Sequence, residues 1–268
     1  MSNIHSTAII EDGATIENGV TIGPFVTISA KAIIKEGTRI DAHTVIAGKT
    51  TIGKNNHIFS FGAIGTDPQD LKYDGEEVEL IIGDNNTIRE FTLLNPGTKG
   101  GGSVTKIGNN NLLMGYVHLG HDVIVGDNCI LANAVNVAGH VVIGDSVVIG
   151  GMTPVHQFVH IGDHVMVGGA SAVSQDIPPF CLAEGNRATL KGLNLTGLRR
   201  RISRDEINEL KIVYKSLFES GQPLQKTAEK LLNEELLKDD SSKNIKNLLE
   251  FITKSKRGIP FIRKDING

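Results

Sequence analysis

Cysteine is nearly absent. Cys129 and Cys181 are the only two in 268 residues and form no C-x-x-C arrangement, so neither a disulfide framework nor a cysteine zinc site is indicated. Each is expected as a small buried or half-buried apolar residue. Charge of one sign is missing too: 27 basic against 30 acidic residues leave a net charge of −3, which predicts no general affinity for nucleic acid. No apolar run approaches the ~20 residues that a membrane span needs, so no membrane insertion is expected. Met1-Ser2-Asn3-Ile4-His5 enters a regular pattern at once and leaves no room for a signal peptide, and cytoplasmic residence is the expectation.

That pattern is a period of six. Ile4, Ile10, Ile16, Ile22, Ile28, Ile34, Ile40, Ile46, Ile52, Ile58 and Ile64 are followed in phase by Ile82, Ile88 and Leu94. After a slip of one residue the series runs from Ile107 through Leu113, Leu119, Val125, Leu131, Val137, Ile143, Ile149, Val155, Ile161 and Val167 to Val173. A helix of about 3.6 residues per turn cannot hold every sixth residue on one face, whereas a hexapeptide solenoid can: each unit is a short strand plus a turn, and three units close a coil of about eighteen residues. Residues eighteen apart then stack at about 4.8 Å, and burying each aliphatic side chain contributes roughly 1.5 to 3 kcal/mol before chain entropy is subtracted. Gly often follows the aliphatic residue and Asp or Asn comes next, as in Ile143-Gly144-Asp145. Both are expected as turn residues that tolerate unusual backbone angles.

The rod accounts for residues 1 to about 180, with two interruptions. Between Ile64 and Ile82 the positions due to be aliphatic are Asp70 and Glu76, whose burial would be costly, so Gly65 to Ile81 is expected to leave the rod as a loop. Its Pro68-Gln69-Asp70-Leu71-Lys72-Tyr73 string is polar with two apolar anchors. The second interruption, Asn95 to Lys106, carries Gly97, Gly100, Gly101 and Gly102 and causes the phase slip. Long loops on a regular scaffold tend to be functional. After Pro178-Pro179 the pattern becomes helical over 181–268. Ser203 with Glu206 forms a capping box before Ile207, Leu210, Tyr214, Leu217 and Phe218; Leu224, Ala228, Leu231 and Leu232 mark a second helix, and Ile245, Leu248, Leu249 and Ile252 a third. Arg199, Arg200, Arg201 and Arg204 at the helix entrance fit either a solvated face or a site for an anion or acidic partner.

Six of the nine histidines lie between residues 118 and 164. His140 comes eighteen residues after Asp122, so the two share a column, with His121 beside Asp122 and Gly139 above His121. An imidazole with a carboxylate neighbour can serve as general base, and a glycine N–H nearby can receive an oxyanion. Periodicity alone leaves His118, His140 and His156 open between binding and structure. With no nucleophilic Ser or Cys in a recognisable setting, direct attack by a substrate hydroxyl or amine is the simplest chemistry. A His₃ zinc site of the kind found in hexapeptide carbonic anhydrases is the alternative, although no three histidines are convincingly spaced for it.

Longer strings add a resemblance. Gln69-Asp70-Leu71-Lys72-Tyr73, Gly100-Gly101-Gly102, His118-Leu119-Gly120-His121-Asp122, Ile130-Leu131-Ala132-Asn133, Ala138-Gly139-His140, Ile149-Gly150-Gly151-Met152-Thr153, Val155-His156-Gln157-Phe158 and Gly197-Leu198-Arg199-Arg200-Arg201 resemble the UDP-N-acetylglucosamine O-acyltransferases that begin lipid A synthesis. The resemblance covers essentially the whole chain. It implies a left-handed parallel β-helix with a C-terminal helical domain, a homotrimer with sites between subunits, and transfer of an (R)-3-hydroxyacyl group to the glucosamine 3-position. The acyl group arrives on the phosphopantetheine of acyl carrier protein, with no other cofactor and no metal. By the same resemblance His121 is the general base, Asp122 its orienting partner and Gly139 the oxyanion donor. Asp70, Lys72, His118, His140, His156 and Gln157 hold the sugar nucleotide or the acyl hydroxyl, Asn194, Arg200 and Arg201 meet the nucleotide and the carrier, and Gly169 measures acyl length. Two departures lie near the expected sugar nucleotide: Asn95-Pro96-Gly97-Thr98 stands where many relatives have His-Arg-Gly-Thr, and Thr196 where they have an acidic residue. The acceptor atom is left as a 3-hydroxyl or a 3-amine.

Overall fold

The computed structural model describes residues 2–238 and 242–261. Met1, and the parts of the expected helical region at 239–241 and 262–268, lie outside the described residues. Two-residue strands, one per hexapeptide, wind into a left-handed parallel β-helix with three walls. The first wall has eleven strands and the second and third have eight each. The register follows the stacking arithmetic: Ile4 pairs with Ile22, Ile10 with Ile28 and Ile16 with Ile34, each eighteen residues apart. The aliphatic positions from Ile22 to Val173 are almost wholly buried, while Ile4, in the first described coil, is 44% exposed.

The two interruptions explain the phase. Ile52 pairs with Ile82, thirty residues on instead of eighteen, so the first excursion inserts twelve residues, or two whole units, and keeps phase. Ile82 pairs with Ile107, twenty-five residues on; seven extra residues are one unit and one more, which is the slip. Both excursions are narrower than the sequence suggested. Glu79–Ile82 and Val104–Ile107 are four-residue strands that pair with each other in the third wall, with Leu80, Ile82, Thr105 and Ile107 turned inward. Period-two alternation had already resumed there, unseen in a six-residue count. Leu71 is fully exposed at the loop tip rather than an anchor.

Turn chemistry also differs from the expectation. The residue in the left-handed region is the third after the aliphatic one, and it is seldom glycine: Asn85, Asn110, Asn128, Ser146 and His164 occupy it at the corner between the third and first walls. The glycine immediately after the aliphatic residue is needed for close approach instead. At Gly108, Gly126 and Gly144 an added Cβ would strike the Asp side chain of the next coil. Those side chains form a ladder along the outside of the corner. Asp84 Oδ1 accepts the N–H of Lys54, Asn109 that of Asp84, Asp127 that of Asn109, Asp145 that of Asp127 and Asp163 that of Asp145, at 2.6 to 2.8 Å. Inside the wall a second ladder runs through buried Asn56, Asn86 and Asn111, whose Oδ1 atoms accept the N–H of Asn86, Asn111 and Cys129. Cys129 occupies the next rung as a free, buried thiol, and burial pushes it up to about 12; Cys181 is also free and buried.

The first wall does not stop at 180. Cys181–Glu184 adds to it in parallel and Thr189–Leu193 then returns antiparallel. Among the described residues four helices follow: α1 (Leu195–Leu198), α2 (Arg204–Phe218), α3 (Leu224–Leu236) and α4 (Lys243–Lys254). The Ser203–Glu206 capping box starts α2, whose Ile207, Leu210, Leu217 and Phe218 are buried. The helices close the open end of the rod, where Asn247 of α4 donates to Asp163 Oδ2 at 2.7 Å and Ser255 to Asp176 Oδ2 at 2.7 Å.

Candidate functional site

Both excursions leave the rod at the corner between the second and third walls, and the histidine cluster sits on that corner. Asp122 and His140 occupy its left-handed position on successive coils, with φ of 59° and 61°. Their side chains therefore stand one above the other on the outside of that corner. His121 Nδ1 lies 2.9 Å from Asp122 Oδ2, and since an ionised carboxylate only accepts, Nδ1 carries the proton and Nε2 is left with its lone pair outward. His140 Nδ1 stands 3.8 Å from the same oxygen, and its ring meets His121 edge-on at 4.8 Å while stacking on Phe158 at 4.4 Å. Burial holds His140 below the ordinary imidazole range, against the pull of Asp122. Gly139 lies directly over the His121 ring: a Cβ there would come within 2.7 Å of Nε2. Among the described residues no acceptor is paired with the Gly139 N–H, while its carbonyl accepts from Phe158.

The excursions build the rest. Asp70 and Lys72 from the first, and Thr98, Lys99 and Gly100 from the second, line a cavity of about 750 Å³ together with His140 and Phe158. Three residues hold this arrangement that no periodicity argument could reach, because they lie in an excursion. Asn95 is fully buried and donates through Nδ2 to the carbonyls of Thr66 and Asp67, tying down the start of the first loop. Its Oδ1 is thereby turned to His118 Nε2, at 3.2 Å. Burial also keeps His118 below the usual imidazole range, and its Nδ1 lies 3.2 Å from Asn136 Oδ1, so the ring is held between two side-chain amides. Thr98 donates both N–H and O–H to Asp122, the hydroxyl at 2.6 Å. Gly101 packs so closely that a Cβ would overlap the Asp122 carboxylate. The only signals in the sequence were the Asn95–Thr98 departure and the Gly100–Gly102 run.

The remaining expected residues are spread over the prism. Gln157 stands eighteen residues after Gly139 on the same corner, exposed, with His156 beside it. Gly169 is exposed at the corner between the first and second walls, against Gly151. Asn194, Arg200 and Arg201 gather at the third corner. Asn194 caps α1 by accepting from Gly197 N–H and donates to the His164 carbonyl at 2.9 Å, and the charge of Arg201 helps hold down the pKa of His164, which burial lowers most. Within one chain these residues do not line the cavity beside His140.

A hexapeptide rod with a His–Asp pair on one corner and a glycine packed over the imidazole fits the class of hexapeptide-repeat transferases. Comparison with known proteins narrows the class. Residues 105–139 match the bacterial transferase hexapeptide family, and residues 176–260 match domain 2 of UDP N-acetylglucosamine O-acyltransferase. The chain is 69% identical over 264 residues to the acyl-[acyl-carrier-protein]–UDP-N-acetylglucosamine O-acyltransferase of Sulfurovum sp. (strain NBC37-1), covering 98% of this chain and all of that one. It is 63% identical to the protein of that name from Aliarcobacter butzleri, at 98% and 100% coverage. The solved UDP-N-acetylglucosamine acyltransferase from Campylobacter jejuni superposes with a TM-score of 0.91 at 45% identity, over 97% of this chain and 100% of that one. The chain belongs to the UDP-N-acetylglucosamine O-acyltransferase family and is an acyltransferase.

These likenesses leave the zinc alternative without support. His121, Asp122 and His140 do bring ligand atoms within 4.8 Å of one another. Yet the carboxylate is already engaged by Thr98 N–H, Thr98 O–H and His121. No helix among the described residues is long and apolar enough to cross a membrane.

Proposed function

We propose that this protein moves an (R)-3-hydroxyacyl group from the phosphopantetheine of acyl carrier protein to the 3-position of UDP-N-acetylglucosamine, or of its 3-amino analogue, as the first step of lipid A synthesis. The observation that carries the reading is the His121–Asp122 pair with Gly139 over Nε2. His121 Nε2 takes the proton from the sugar 3-hydroxyl or 3-amine as that atom bonds to the thioester carbonyl carbon. The resulting oxyanion accepts from the Gly139 N–H. The intermediate collapses with cleavage of the C–S bond, and the thiol departs with the proton that His121 returns. Asp122 keeps the Nδ1 proton in place throughout and holds the imidazolium that forms.

The acting unit in this reading is a homotrimer in the cytoplasm. Asp70, Lys72, His118, His140, His156 and Gln157 share the His121 corner, whereas Gly169, Asn194, Arg200 and Arg201 lie on the other two. A single substrate can meet all of them only if neighbouring copies supply the other corners. His140 and the Asp70–Lys72 loop would hold the sugar nucleotide, and Arg200 and Arg201, exposed beside α2, would receive phosphate or the acidic carrier. The test is transfer from 3-hydroxyacyl carrier protein to UDP-N-acetylglucosamine and to its 3-amino analogue in parallel assays. An ester or an amide product is expected; no product with either acceptor overturns the reading.

A further inference from the structure

We infer that Thr98 is a positioning residue for this acyl transfer: reaching in from the second excursion, its hydroxyl and backbone N–H fix the Asp122 carboxylate in the orientation that aims His121. The inference rests on His121 acting as the base, as set out above. Thr98 is 4% exposed and Asp122 is 5% exposed, so neither can substitute water freely for a lost partner. The carboxylate takes Thr98 N–H at 3.0 Å on Oδ1 and 3.1 Å on Oδ2, and Thr98 O–H at 2.6 Å on Oδ2. The His121 Nδ1–H reaches that same Oδ2 at 2.9 Å. Of the three donors only the imidazole belongs to the coil that carries Asp122; the other two come from residue 98.

A carboxylate free to turn about its last torsion presents its oxygens interchangeably, because that torsion is broad. Thr98 removes the freedom by grasping both oxygens. Thr98 is itself fixed, since its carbonyl accepts from the N–H of Gly101 at 2.9 Å and of Ser103 at 2.8 Å, which closes the short turn Lys99–Gly101. Gly101 lets that turn lie flat against the carboxylate, where any side chain would collide. The excursion thus reaches the base through two hydrogen-bonded steps, Thr98 to Asp122 and Asp122 to His121. Thr98 makes no hydrogen bond to the His121 ring itself and acts on it only through Asp122.

The experiment compares wild type, Thr98→Val and Thr98→Ser as full-length protein in the carrier-dependent transfer assay, with melting followed on each. Losing a charge-assisted hydrogen bond to a buried carboxylate is expected to lower kcat of Thr98→Val by about tenfold to a hundredfold. KM should stay within about twofold and Thr98→Ser should recover most of the rate, because only the hydroxyl is at issue. Three results overturn the inference: an unchanged kcat in Thr98→Val, a loss confined to KM, or a serine variant as slow as the valine one. Should Thr98→Val fail to fold, Gly101→Ala decides; it keeps the hydroxyl but lifts the turn from Asp122, and a folded Gly101→Ala protein with normal kcat is equally fatal. A wild type that transfers no acyl group would sink the functional reading instead, so the two failures are distinguishable.

Discussion

Two corners of the same prism carry carboxylates, and they use them in opposite ways. Between the third and first walls, Asp127, Asp145 and Asp163 stand at the second position after the aliphatic residue, and each accepts the N–H of the coil before it. Between the second and third walls that second position holds His121, Gly139 and Gln157 on successive coils. By the rule of the first corner, the Gln157 side chain would cap the Gly139 N–H; no such bond forms, and the Gly139 amide stays open. The carboxylate of this corner, Asp122, has moved one place on to the left-handed position, where it faces an excursion and an imidazole rather than the next rung. The comparison teaches that the site is a ladder with its rungs removed. A backbone donor that the fold elsewhere spends on stability is left free beside His121, where the proposed reaction needs one.

The largest break between the corners is expected at His121. General-base catalysis contributes typically about 10² to 10⁴-fold, so His121→Ala should lose at least that much in kcat while remaining folded. Near-normal turnover in a folded variant would dispose of His121 as the base. The open rung offers a finer cut. Gln157→Asp places at the site corner the residue that makes the other corner a ladder, and its carboxylate should accept the Gly139 N–H. Removing one oxyanion donor costs roughly 10² to 10³-fold in comparable sites, and competition for the donor should cost tenfold or more here. Gln157→Ala, which leaves the amide open, separates this effect from any direct contact of Gln157 with substrate. Equal rates in the aspartate and alanine variants would exclude Gly139 as the donor.

Part of each corner was legible in the sequence and part was not, for physical reasons. A core position repeated every six residues announces itself, because only burial enforces aliphatic side chains at such regularity, and stacking at eighteen then put Asp122, His140, His121 and Gly139 together. The turn geometry was misread: glycine after Ile143 suggested a strained backbone, whereas a crowded neighbour requires it, and crowding between coils leaves no mark within one repeat. Asn95, Thr98 and Gly101 were out of reach for a different reason. An excursion has no period, so nothing in Asn95-Pro96-Gly97-Thr98 says that Asn95 will face His118 or that Thr98 will face Asp122. The inward Asn56, Asn86 and Asn111 were likewise unexpected. Their amides satisfy the neighbouring backbone and let polar residues line part of a core that the aliphatic count had filled alone.

The smallest expected effect lies on the intact ladder and tests whether its carboxylates serve stability alone. Asp145 Oδ1 accepts the Asp127 N–H at 2.8 Å, and the next rung reaches back to Asp145's own N–H from Asp163. Asp145→Ala removes one acceptor and leaves the rung above in place. A single hydrogen bond of this kind contributes about 1 kcal/mol, which for a chain of this length corresponds to a fall in Tm of about 2 to 4 °C. Asp145→Asn keeps the acceptor oxygen and should melt within about a degree of wild type, so the bond rather than the charge is what the pair measures. Turnover at 25 °C should be unchanged in both, since Asp145 lies away from His121 and from the cavity beside His140, on the corner occupied by Ser146 and His164. A rate loss in Asp145→Ala without a change in Tm would mean that the two corners are coupled through the coil, and the division of labour between them would fail.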